Sequence, residues 1–110
     1  MTHNKVLSYL GIAKKGGHVK SGAFMTEEAV KSYNAFLVII ADDASSNTKK
    51  KFEDMCKNYE VPCYIYGSSD ELGHCIGTEF RMCLAITDEG LSKACIKVLE
   101  EKTPKTEESI

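Results

Sequence analysis

Ala35-Phe36-Leu37-Val38-Ile39-Ile40-Ala41 is the longest apolar run in the chain, and Asp42-Asp43-Ala44-Ser45-Ser46-Asn47-Thr48 follows it at once. The run falls far short of the roughly 20 residues that span a bilayer, and it is the wrong length for a helix. It suits a strand. A strand without alternation has no solvent face, so the spacing predicts a central strand over 36–41 covered by helices on both sides. The polar stretch behind it is rich in capping residues and opens a helix through Lys49-Lys50-Lys51-Phe52-Glu53-Asp54-Met55-Cys56 to about Tyr59.

Downstream, Val61-Pro62 ends the turn and starts a strand over 63–66. Ser68-Ser69-Asp70-Glu71 caps a short helix reaching Ile76, with Gly77 as its C-cap. Met82-Cys83-Leu84-Ala85-Ile86 is a further apolar strand, and Thr87 or Asp88 caps a last helix on which Leu91, Ala94, Cys95, Val98 and Leu99 keep helical spacing. Upstream, Val6, Leu7, Leu10 and Ala13 give a first helix over 4–15, capped by Thr2 or Asn4 and stopped by Gly16-Gly17. A brief strand over 18–21 and a helix over 23–32 follow, ended by Tyr33-Asn34. Strands alternating with helices predict an α/β layered domain around one sheet of about four strands. Residues 1–101 read as that single domain, and 102–110 as a polar, disordered acidic tail.

Composition fits a soluble globular protein: 110 residues, 43% hydrophobic and 27% charged, with two prolines. Met1-Thr2-His3-Asn4-Lys5 carries no signal-peptide core, which points to the cytoplasm and away from membranes. The five cysteines, at 56, 63, 75, 83 and 95, are odd in number and contain no C-x-x-C pair, so they read as small core hydrophobes rather than disulfides or metal ligands. A formal charge of -2 lacks the basic footprint usual in nucleic-acid binders. The charges are uneven, however. Lys5, Lys14, Lys15, His18 and Lys20 gather near the start, Lys49 to Lys51 form a run, and Glu100, Glu101, Glu107 and Glu108 load the end. The lysine run fits either a solvated helix face or phosphate contact.

Signals for catalysis are weak. Asp42-Asp43 at the end of an apolar strand is a place where paired carboxylates can hold magnesium, but Asp43 or Asn47 reads more readily as a cap for the loop and helix. The serines and cysteines form no nucleophile elbow, the three histidines have no evident triad partners, and the glycines between Gly11 and Gly22 do not have P-loop or dinucleotide spacing. No catalytic residue, cofactor or metal site is assigned. Main-chain N–H groups at Ser21-Gly22, before a helix N-terminus, suit phosphate.

Several stretches taken in order resemble a known family. Leu37 to Ala44, Tyr59 to Tyr64, Glu71-Leu72-Gly73 with Ile76-Gly77, and Leu84-Ala85-Ile86 resemble the ribosomal L-seven-Ae/L-thirty-e superfamily. Leu10 to Gly16 through Ser21-Gly22, Ala44 to Lys51, and Ile86 to Gly90 look closer still to its bacterial YlxQ-type branch. The resemblance implies a three-layer α/β/α sandwich with a mixed four-stranded sheet. It also implies a non-enzymatic, ribosome-associated protein that binds structured kink-turn RNA with sheared G·A pairs, with ribosomal proteins as possible neighbours; a monomer is expected. It places the RNA face on Lys20, Ser21, Gly22, Ala23, Phe24 and Met25 together with Thr78, Glu79, Phe80, Arg81 and Met82, edged by Asp43 and Ala44. Members that read kink-turns follow the glycine matching Gly22 with a small residue, an Asn-Glu pair and then a Lys. This chain has Ala23, Phe24, Met25 and Glu28. An acid there repels phosphate, while Phe24 and Met25 offer stacking surface for bases or an apolar patch for a protein. The alternative expectation is therefore a protein-interaction module on the same fold.

Overall fold

The computed structural model describes residues 4–102. Its elements run α1 (Lys5–Lys15), β1 (Val19–Ser21), α2 (Ala23–Lys31), β2 (Leu37–Ile40), α3 (Ser46–Tyr59), β3 (Cys63–Ile65), α4 (Ser69–Cys75), β4 (Cys83–Ile86) and α5 (Glu89–Lys102). The last helix takes in Lys102, one residue of the stretch read as tail; residues 103–110 of that stretch lie outside the described residues.

One mixed sheet has the order β1-β4-β2-β3. The β2–β3 pair is parallel, joined across α3, whereas β4 runs antiparallel to both β1 and β2. As the apolar run predicts, β2 is interior and every one of its residues is buried. Its side chains divide between two cores because successive residues of a strand point to opposite faces. Leu37, Ile39 and Ala41 pack with α1, α4 and α5 through Leu10, Leu72 and Leu99. Val38 and Ile40 pack with α2 and α3 through Val30, Phe52 and Met55. Together these cores give the three-layer α/β/α sandwich.

Local sequence accounts for the helix ends. The Asn4 side chain accepts the Leu7 N–H at 3.2 Å, Ser45 accepts that of Thr48 at 3.1 Å, and Ser68 forms a reciprocal capping box with Glu71. Ser45 therefore starts α3, in the place expected for Asp43 or Asn47. The C-cap of α4 is Ile76 rather than the expected Gly77, which follows it with a left-handed φ of 78°. Cys56, Cys83 and Cys95 are buried and Cys63 and Cys75 partly so, all five as free thiols.

Candidate nucleic-acid interface

The site begins where β1 hands over to α2. Gly22 has φ 88° and ψ 162°, a conformation essentially reserved for glycine, and it serves as the N-cap of α2 without a side-chain acceptor. The first N–H groups of α2 thus meet no capping side chain, and the helix dipole adds partial positive charge there. The Gly22 N–H itself donates to the Cys83 carbonyl at 2.9 Å. This ties the helix start to the head of β4, next to the segment that precedes that strand.

That segment, 78–82, is held from three sides. Thr78 bonds back to the Gly73 carbonyl through its N–H, at 2.9 Å, and its hydroxyl, at 3.3 Å. The loop lies so close over α4 that a Cβ on Gly73 would stand 1.4 Å from the Glu79 carbonyl oxygen. Only glycine fits there. The Arg81 N–H donates to the Ser69 carbonyl at 3.0 Å. The Arg81 guanidinium donates to Ser21 Oγ at 3.1 Å and to the Phe80 carbonyl at 2.9 Å, which bridges the two halves of the site.

Around this bridge the exposed side chains are mostly apolar. Phe24 is 75% exposed and Phe80 55%, with Met25 and Met82 each at 37%. Large apolar groups left in water are candidate contact groups. Lys20 is exposed on β1 and shares a recess of about 280 Å³ with Met25, Glu28 and Thr87. The acid at position 28 thus stands in the same recess as a lysine.

Most of the residues expected from sequence are brought together: Lys20 to Met25 and Thr78 to Met82 come from the two segments joined by the Ser21–Arg81 and Gly22–Cys83 bonds. Two sit differently. Ala44 is 7% exposed and packs in the core shared by β2, α2 and α3. The Asp43 carboxylate is taken up by Ser69, accepting its N–H and its hydroxyl, both at 2.7 Å. Those two bonds, the hydroxyl first, hold the Asp43 carboxyl below the usual aspartate range. Asp43 thus caps α4 from 26 residues away, and through Ser69 it braces the Arg81 segment. Gly73, which the sequence reading used only as part of a motif, is the residue on which the loop rests; nothing local in the sequence signals that contact.

Of the lysine run, Lys51 pairs with Glu27 at 3.1 Å and Lys50 with Asp54 at 3.2 Å. Glu27 also pairs with Lys31 at 2.8 Å, and its carboxyl is held below the usual range by Lys31 and then Lys51. The Lys51–Glu27 pair joins α3 to α2 while Lys50–Asp54 lies along α3, which favours the solvated-face reading for Lys50 and Lys51.

The sequence matches the ribosomal protein L7Ae/L30e/S12e/Gadd45 family over residues 4–96. The chain belongs to this family. It is 38% identical over 91 residues to the RNA-binding protein YlxQ of Bacillus subtilis, covering 83% of this chain and 91% of that one. With the RNA-binding protein YlxQ of Enterococcus faecium it shares 34% identity over 96 residues, 87% of this chain and 92% of the relative. A solved structure of a Giardia lamblia 15.5kD RNA binding protein superposes with a TM-score of 0.77 at 21% identity, covering 92% of each chain, and shows the same fold.

Proposed function

We propose that this chain is a non-enzymatic, ribosome-associated RNA-binding protein of the cytoplasm that docks structured, kink-turn-like RNA on the face built from Lys20 to Met25 and Thr78 to Met82. The observation that carries the proposal is the Arg81–Ser21 bridge at 3.1 Å, which sets an uncapped helix N-terminus beside four exposed apolar side chains. Free N–H groups suit phosphate oxygens, and Phe24 and Phe80 suit the faces of unstacked bases. Kinship with YlxQ proteins named as RNA-binding supports the reading.

The test is a titration of the purified protein against a kink-turn RNA, its G·A-disrupted mutant and fragments of total ribosomal RNA, at low and near-physiological salt. Tight binding that the G·A disruption abolishes is the expected result. Equal, salt-fragile binding to all three reduces the face to phosphate attraction. No binding to any of them refutes the RNA reading and leaves Phe24 and Met25 as a protein-contact patch.

A further inference from the structure

A second feature lies on the far side of the 78–80 loop. There α1, α4 and the loop enclose an open groove of about 980 Å³, at the upper end of the roughly 300–1,000 Å³ typical of ligand sites. Leu7, Gly11 and Cys75 line it and Phe80 forms a wall. The two helices meet closely here, since a Cβ on Gly11 would stand 3.3 Å from the Cys75 carbonyl oxygen. Asp70, Glu71 and Glu79 also line the groove, with His74 as its one basic side chain and no lysine or arginine.

Among the described residues none of these three carboxylates is in an ion pair, although Glu71 accepts the Ser68 N–H in its capping box. Three unneutralised acids around an apolar trough repel a phosphate backbone and attract a cation. The trough itself demands apolar anchors. Both requirements are met by an amphipathic peptide with leucine-like residues on one face and lysine or arginine flanking them.

We propose that the α1–α4 groove is a docking site for a basic, apolar-anchored peptide segment of a partner protein. The site abuts the RNA face and shares Thr78, Glu79 and Phe80 with it, but Leu7, Gly11, Asp70 and Cys75 on its other walls belong to neither RNA-face segment. Glu79 and Phe80 line the groove, while the next residue, Arg81, turns to Ser21 on the other side.

The probe is a fluorescein-labelled amphipathic peptide of leucine and lysine, about 14 residues or four helical turns long. Its controls are an all-lysine peptide and a leucine–glutamate peptide of equal length. The full-length protein is titrated by anisotropy near physiological salt, and amide shifts are mapped by NMR on the ¹⁵N-labelled chain. The leucine–lysine peptide alone is expected to bind, shifting Leu7, Gly11, Cys75 and Glu79. The double variant Asp70→Lys, Glu79→Lys is expected to weaken it at least tenfold while its circular dichroism is unchanged. Because Asp70 lies in the first turn of α4, Glu79→Gln alone serves as a milder second variant, expected to weaken binding measurably. No binding, equal binding of the all-lysine or leucine–glutamate peptide, shifts centred elsewhere, or full affinity in both variants overturns the proposal.

Discussion

The two sides of the segment from Thr78 to Met82 make a useful contrast. Toward α2 it presents Arg81, bonded to Ser21, beside a helix start with no capping side chain. Toward α1 it presents Glu79 and Phe80 over a trough lined by Asp70 and Glu71. Both sides expose apolar side chains, but the α2 side mixes Arg81 and Lys20 with Glu28, whereas three acids and one histidine line the α1 side. The net charge of -2 is therefore a poor guide to partners. What a surface attracts is set by the groups facing it within about a Debye length, roughly 8–10 Å at physiological salt, and not by the sum over the chain.

Because one loop serves both sides, the contrast breaks most completely if the loop is moved. Gly73→Ala puts a methyl group 1.4 Å from the Glu79 carbonyl oxygen, so the loop must shift. We expect the largest effect here: about 3 kcal/mol of stability lost by urea unfolding, with RNA and peptide binding failing together. Wild-type stability in this variant would mean that the loop does not rest on Gly73. Phe24→Ala sharpens the contrast instead. Its side chain is 75% exposed, so stability should stay within about 0.5 kcal/mol. RNA affinity should fall by about 1–3 kcal/mol if Phe24 stacks on a base, with peptide affinity unchanged.

The fold was largely legible because its signals are local. The unbroken apolar run at 37–40 specifies a strand buried on both faces, and Asn4 and Ser68 cap the helices they precede. Where the reading placed a cap on Asp43 or Asn47, Ser45 won by standing three residues before the Thr48 N–H it accepts. The candidate site was legible only in part. Ser21 and Arg81 are 60 residues apart, and Asp43 and Ser69 are 26 apart. Neither pairing has any period or spacing in sequence to reveal it. Resemblance put Asp43 at the edge of the RNA face, but its carboxylate is committed to Ser69; Ala44 faces the core because it packs beside Met55 and Phe52. The α1–α4 groove is assembled from helix faces that only the tertiary structure brings together.

Smaller changes test the brace behind the loop. Arg81→Ala removes the link to Ser21 and should cost about 0.5–1.5 kcal/mol in stability. It should also lower RNA affinity and flatten its salt dependence, leaving the groove peptide bound; unchanged RNA affinity and salt dependence would remove Arg81 from the interface. The least effect is expected from Asp43 and shows in pH dependence. Its folded-state carboxyl is held below the ordinary 3.8 by Ser69, so the bond stabilises the fold above that value. The contribution should disappear as pH falls from near 3.8 through the lower folded-state value. Asp43→Asn should flatten this acid limb in a stability–pH series, and an unaltered limb would show that Asp43 does not link Ser69 to pH.

The most direct measurement is an NMR titration of the ¹⁵N-labelled chain with a kink-turn RNA, read residue by residue. The amides of Lys20 to Met25 and Thr78 to Met82 should move together, with Leu7, Gly11 and Cys75 in the groove unmoved. Saturable binding whose shifts centre on the α1–α4 groove, or fall outside both segments, would contradict the proposed RNA face.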